Sequence, residues 1–291
     1  MSKKSDEQIR NEVSNSYKHA LNRSLAPTQP DATTASKCCS TQTRPSGNAA
    51  KLVDYERDAQ NLPQEALGSS FGCGNPLAFS EVREGQTVVD LGSGAGLDLL
   101  IAARKVGPEG QVIGIDMTDA MLEEAQRNID RAGAQNVELR KGVIEDLPLE
   151  GNSADWIISN CVINLSPDKP AVFSELARTL KPGGRISISD IVVEQLPEEL
   201  REYSAVRSAC LGGAISEAEY IAGLQAAGLS DVQVVERIVY DEDQLLAITS
   251  LDESSCCGAS DSPPTDERIT EAARRVVGKV WSAKFQASLP A

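Results

Sequence analysis

The sequence predicts a doubly wound α/β fold, a parallel sheet with helices on both faces and a smaller α+β region C-terminal to it. Three observations predict it. Strand and helix patterns alternate from residue 86 to 193. The fourth strand reads as a contiguous apolar run, Trp156-Ile157-Ile158, as in a sheet covered on both faces. A glycine-rich loop, Gly92-Ser93-Gly94-Ala95-Gly96, joins the first strand to its helix.

In order, Gln86 to Leu91 is the first strand and Gly96 to Val106 the first helix. Gln111 to Asp116 is the second strand. Thr118 to Ala132 is the second helix, with Met121, Leu122, Ala125, Ile129 and Ala132 as its apolar stripe. Val137 to Lys141 and Asp155 to Ser159 are the next strands. Asp168 caps a helix to Leu180, with Pro170 in its first turn. Pro182-Gly183-Gly184 then turns into a fifth strand, Arg185 to Val193, and the alternation implies right-handed parallel crossovers. Upstream, Ile9, Val13 and Tyr17 recur every four residues and predict a short helix near 6–21. Asn22 to Asn48 is polar and reads as a mobile arm, and Asp54 to Leu67 as another short helix. Downstream, Ser216-x-x-Glu219 is a capping box and Gly228 closes its helix. Val232 to Tyr240 and Leu245 to Thr249 read as strands, Asp252 to Pro264 as a polar linker, and Thr265 to Ser288 as a final amphipathic helix.

The totals exclude several functions. The 291 residues are enough for one large domain or two modest ones. A net charge of −15 argues against nucleic acid or an anionic membrane as partner, because phosphate binding needs clustered Lys and Arg. No apolar run approaches the roughly 20 residues that span a bilayer. The first residues lack the apolar core of a signal peptide. A cytoplasmic location is expected, where thiols stay reduced. There is one histidine, His19, in a polar stretch, so a histidine base is not expected.

There are seven cysteines. An odd number in a large chain does not suggest a disulfide scaffold. No C-x-x-C pair is present, which weakens zinc as their purpose. Cys73 lies between two glycines. Cys161 follows the fourth strand at its C-terminal end, where open α/β sheets bind ligands. Cys210 precedes Gly212-Gly213. Cys38-Cys39 and Cys256-Cys257 are adjacent pairs. Thiolates are soft ligands and strong nucleophiles, so the set points to soft-element or redox chemistry.

The glycine spacing departs from the dinucleotide fingerprint G-x-G-x-x-G, since position 97 is Leu. Asp90 at the loop's mouth would repel a pyrophosphate and suits a positively charged ligand end. Asp116, ending the second strand, is placed to accept both hydroxyls of a ribose. Asp90-x-Gly92-x-Gly94-x-Gly96 with Asp116 resembles the Rossmann-like class I methyltransferases that use S-adenosylmethionine, over roughly residues 86–195. The resemblance implies that Asp90, Gly92, Ser93 and Gly94 line the methionine part of the cofactor. Asp116 would hold the ribose, with Met117 beside it. In Gly142-Val143-Ile144-Glu145 the residues flanking adenine would be Ile144 and Glu145, and Asn160 would lie beside the sulfonium.

Phe71-Gly72-Cys73-Gly74-Asn75-Pro76, Ser159-Asn160-Cys161-Val162-Ile163-Asn164-Leu165 and Cys210-x-Gly212-Gly213-Ala214 narrow this further. Together they resemble the arsenite methyltransferases over most of residues 50–250. The resemblance implies methyl transfer to thiol-bound trivalent arsenic, in arsenic detoxification. Cys161 and Cys210 would be arsenic ligands. Cys73 would be a third thiol that joins arsenic or forms a disulfide during turnover, and Cys38 or Cys39 the match of an upstream family cysteine, with Cys39 counted in the catalytic set. Methylation formally oxidises arsenic, so a thioredoxin or glutathione system would return two electrons through a cysteine pair. The implied organisation is an N-terminal arm with lid helices (1–66), a cofactor-binding core (67–195), an arsenic-binding region (196–250) and a Cys-Cys linker with a terminal helix (251–291). Two other readings compete: a small-molecule C- or O-methyltransferase, in which Cys161 and Cys210 are dispensable, and a non-catalytic metalloid-binding protein.

Overall fold

A computed structural model describes residues 5–25, 62, 81–203, 206, 210–249 and 267–291. Among them a seven-stranded sheet runs in the order β3-β2-β1-β4-β5-β7-β6. Its first five strands are parallel: β1 Thr87–Leu91, β2 Gln111–Asp116, β3 Val137–Lys141, β4 Ala154–Asn160 and β5 Leu180–Val193. The order reverses between β1 and β4, and the crevice at that point is where such sheets bind ligands. Alternate residues of each strand face opposite sides. Val88, Val112, Trp156 and Ile158 pack on one side, and Val89, Ile113, Ile115 and Ile157 on the other. Trp156 is thus a core residue.

The helices start where capping chemistry allows. α1 is Asp6–Leu25, α2 Leu97–Val106 and α3 Asp119–Ala132. α4, Lys169–Thr179, begins at Asp168, whose side chain accepts from Ala171 N–H at 3.0 Å. A short helix α5 spans Glu198–Glu202. α6, Glu217–Ala226, carries the reciprocal Ser216/Glu219 capping box. β6 is Ser230–Val239, α7 Glu242–Thr249, α8 Glu267–Arg275 and β7 Val280–Ser288.

Four expectations need correction. α1 continues through Leu25, so residues 22–25 are helix rather than arm. Leu245 to Thr249 is helical, not a strand. Asp241 is the reason: its carboxylate accepts from Gln244 N–H at 2.8 Å while Gln244 Oε1 accepts from Asp241 N–H at 2.9 Å, a capping box written D-x-x-Q. The expected terminal helix over 265–288 stops at Arg275. Gly278, at φ 75°, turns the chain into β7. Trp281, Ala283, Phe285 and Ala287 then alternate toward one face, a period of two rather than 3.6. β7 runs antiparallel between β5 and β6, so the last segment is an interior strand of the sheet. On α3, Ala132 and Leu122 are not buried, whereas Glu124 and Asn128 are. Apart from Leu62, the expected helix over 54–67 lies outside the described residues, as do all but two of the seven cysteines.

Candidate active site

The cleft lies above the C-terminal ends of β1, β2 and β4. β1 delivers Asp90 to the mouth, and the chain then turns through three glycines with positive φ, Gly92, Gly94 and Gly96. At Gly92 the reason is also steric, because a Cβ there would collide with the Val162 side chain. The cofactor loop therefore rests directly on the segment that carries Cys161. Asn128, buried on α3, steadies the loop by donating Nδ2–H to Ala95 O at 3.0 Å.

The cleft is open to solvent, and about 980 Å³ of non-atom space lies in and above it, solvent included. Each of the nine residues expected to bind cofactor lines it: Asp90, Gly92, Ser93, Gly94, Asp116, Met117, Ile144, Glu145 and Asn160. Cys161 lines it as well. Asp116 accepts from Gly94 N–H at 3.0 Å and from Thr118 N–H at 2.8 Å, which ties the end of β2 to the glycine loop.

Arg10, Tyr17, Asp98 and Ser166 are among the lining residues that sequence reasoning missed. Arg10 and Tyr17 come from α1, which folds back over the cleft. Tyr17 had been read as part of an apolar stripe. Asp98 is the single polar side chain in Leu97-Asp98-Leu99-Leu100-Ile101-Ala102-Ala103, a detectable signal. Its carboxylate accepts from Asn160 Nδ2–H at 3.1 Å. Ser166 donates to Glu145 Oε1 at 2.6 Å, and Arg10 pairs with the same oxygen at 3.4 Å.

The electrostatics are acidic. Burial, then Asp98, then Asp116 push the Asp90 carboxyl well above its ordinary range. Burial also raises Asp116, against the N–H bonds from Thr118, Gly94 and Met117. A cleft lined by four carboxylates, Asp90, Asp98, Asp116 and Glu145, suits a ligand with a sulfonium and an ammonium. Ser93 Oγ is buried and has no hydrogen-bond partner among the described residues, so it fits as a donor to a ligand carboxylate. These residues fit S-adenosylmethionine, with Asp90, Ser93 and the glycines on its amino-acid end and Asp116 on its ribose.

Cys161 and Cys210 meet at the rim. Both lie in a shared apolar cluster, and both are at most 5% exposed. The Cys210 thiol donates to the Cys161 carbonyl oxygen at 2.6 Å, and Tyr17 Oη lies 3.7 Å from Cys210 Sγ. Each cysteine has left-handed backbone, φ 61° and 65°, a conformation uncommon in non-glycine residues and concentrated at functional sites. Cys210 forms no disulfide, whereas Cys161 is disulfide-bonded. Cys73 and Cys39, expected beside them, lie outside the described residues. Among the described residues no cluster of three or more His, Cys, Asp or Glu is placed to hold a metal ion.

Asn164 ties the Cys161 segment to β5, and the Cys210 segment packs on its backbone at Gly213. The Asn164 side-chain amide donates to Asp190 Oδ1 at 2.8 Å and to Ile191 O at 2.6 Å, and its N–H to Asp190 Oδ2 at 3.1 Å. Burial raises the Asp190 carboxyl to about 7, against the attraction of Lys169 and the hydrogen bonds from Ile191, Asn164 and Tyr220. Gly213 packs so closely that a Cβ would collide with the Asn164 carbonyl oxygen. Gly213→Ala is therefore expected to cost about 1–3 kcal/mol in urea unfolding, the usual range for overpacking. It should also displace Cys210. An unchanged midpoint would contradict this packing.

The fold and cleft define a class I methyltransferase. The sequence pattern of a methyltransferase domain matches residues 83–240. The structure of an arsenic(III) S-adenosylmethionine methyltransferase from Chlamydomonas reinhardtii superposes with a TM-score of 0.63 at 32% identity, covering 82% of this chain and 73% of that one. The arsenite methyltransferase of Halobacterium salinarum is 40% identical over 201 residues, 69% of this chain and 51% of its own length. The human arsenite methyltransferase is 37% identical over 221 residues, 72% of this chain and 55% of its own. The chain belongs to the arsenite methyltransferase family. It spans about half the length of these curated relatives. Among the described residues no helix is long and apolar enough to cross a membrane.

Proposed function

We propose that the chain transfers methyl groups from S-adenosylmethionine to trivalent arsenic presented as a thiol conjugate, converting arsenite to methylated arsenicals in arsenic detoxification. The observation that carries this reading is the meeting of two cysteines on the rim of the cofactor cleft: Cys161 lines the cleft, and the Cys210 thiol is bonded to its backbone. A carbon or oxygen acceptor would give no reason for that pairing.

S-adenosylmethionine, when bound, supplies an electrophilic methyl group on a positively charged sulfur. The protein's part is binding and placement. Asp90, Asp98 and Asp116 balance the cofactor's positive charges, and the orphan Ser93 hydroxyl receives its carboxylate. Cys161 and Cys210, as thiolates, hold arsenic at the cleft mouth, with Cys73 as the third sulfur. Each thiol gives up its proton on binding arsenic. Three sulfurs in a pyramid leave arsenic a lone pair and no proton, so no general base is needed. A burial of 95% or more at both cysteines keeps water away, and positioning of this kind is worth several kcal/mol of barrier, up to roughly 7–11 for ideal alignment.

Two electrons must return the methylated arsenic to its trivalent state. A cysteine pair closing to a disulfide supplies them, with thioredoxin or glutathione as the reductant that reopens it. The disulfide at Cys161 agrees with a redox-active site, and it must open before arsenic binds there. The deciding experiment incubates the protein with arsenite, S-adenosylmethionine and excess reduced glutathione. Release of S-adenosylhomocysteine together with methylated arsenicals is expected. No release above the arsenite-free control would overturn the reading.

A further inference from the structure

One helix reaches three walls of the cleft. Arg10, Ser14 and Tyr17 stand at i, i+4 and i+7 of α1, on one face. Arg10 pairs with Glu145 after β3. Ser14 Oγ lies 3.1 Å from Thr118 Oγ1 at the start of α3. Tyr17 Oη lies 3.7 Å from Cys210 Sγ. Tyr17 also lines the cofactor cleft. It is thus a side chain shared by the cleft and a cysteine of the proposed arsenic site.

The hydrogen bonds around Cys210 give Tyr17 a task. In the free thiol the proton of Cys210 is used on the Cys161 carbonyl oxygen, at 2.6 Å. Once the sulfur binds arsenic that proton is gone, and the sulfur is left as an acceptor with excess negative charge. A phenol hydroxyl, whose ordinary pKa is about 10, keeps its proton at neutral pH and is a donor. Tyr17 is already within hydrogen-bonding distance of the sulfur.

We propose that Tyr17 is a positioning residue for the arsenic site: its hydroxyl donates to the Cys210 sulfur in the arsenic-bound state and fixes that sulfur's direction toward the cleft. The proposal rests on the reading of Cys210 as an arsenic ligand. Tyr17 itself touches neither arsenic nor the methyl group in this scheme.

The test uses the full chain, reduced and cofactor-free, with arsenite as probe in equilibrium dialysis. Tyr17→Phe keeps the ring and deletes the hydroxyl. Arsenite affinity is expected to fall about 3- to 10-fold, the scale of one ordinary hydrogen bond, because sulfur is a weak acceptor. Affinity for S-adenosylmethionine, by calorimetry, should stay within about twofold, since the ring still packs. In a Cys210→Ser background the same substitution should have no further effect on arsenite binding. Unchanged arsenite affinity in Tyr17→Phe would overturn the proposal. So would an equal loss of arsenite and cofactor affinity, which marks a loosened helix, or an effect that persists without Cys210. A wild-type protein that binds arsenite but consumes no cofactor would refute methyl transfer and leave this test standing. One that binds no arsenite would refute both.

Discussion

Cys161→Ser is expected to lower arsenite methylation by on the order of 100-fold or more, while cofactor affinity stays within about twofold. The loss corresponds to about 2.7 kcal/mol of barrier or more. Serine is nearly isosteric, and Cys161 N–H is bonded to Ser189 O at 2.8 Å, a bond the substitution leaves in place. The left-handed backbone at φ 61° is braced by that bond and by the Asn164 network one turn on, and excess glutathione opens the disulfide in the wild type as well. What changes is the ligand: a hydroxyl at neutral pH is neither soft nor deprotonated. Arsenic speciation by chromatography, wild type against variant under excess glutathione, reads the effect. Equal methylation by both proteins would remove the cysteine mechanism and return a carbon or oxygen acceptor to consideration. Calorimetry with S-adenosylmethionine guards against misfolding, because Gly92 packs on Val162, the next residue.

The part of this site that was legible in the sequence is the part built from consecutive residues. Asp90 and the glycines share one strand-loop-helix unit, and Asp116 ends the next strand. Period and turn chemistry reveal both without any long-range contact. Arg10 and Tyr17 reach the cleft only because α1 folds back across it from more than 60 residues upstream. Nothing local in Ile9-Arg10 or Tyr17-Lys18 signals that return, and the four-residue spacing of Tyr17 disguised it as a core position. β7 failed for another reason. Ile269, Ala273, Val276 and Val280 satisfy a helical stripe, and the break at Gly278 is a single residue. The alternation of Trp281, Ala283, Phe285 and Ala287 was present in the sequence, but the helical match ran into it. At Asp241 the signal is local, a D-x-x-Q box, but the apolar run of four after it, Leu245 to Ile248, carries the stronger strand pattern.

The acidic cleft makes a second prediction with opposite signs for stability and binding. Asp90 is 2% exposed and sits near Asp98 and Asp116. Its carboxyl is raised by burial first and by those two neighbours next. A group whose folded pKa lies above its unfolded value contributes stability at low pH and loses it as pH rises through the folded value. The cofactor-free protein should therefore lose stability as pH climbs from about 4, the ordinary Asp value, toward neutrality. Asp190, raised to about 7, acts in the same direction. Asp90→Asn removes the charge and keeps the shape. At pH 8 it is expected to stabilise the cofactor-free protein by about 1–2 kcal/mol, roughly 2–8 °C in melting temperature. At pH 5, closer to the raised range of the Asp90 carboxyl, the gain should be smaller. Cofactor affinity at pH 8 should fall about 10- to 150-fold, the loss of a charge-assisted contact to a cationic ligand. Thermal melts at the two pH values, paired with calorimetry, read both effects. Weakened binding without a pH-dependent gain in stability would mean that the three carboxylates do not strain the empty cleft. The stored repulsion would then be no part of how it selects a positively charged ligand.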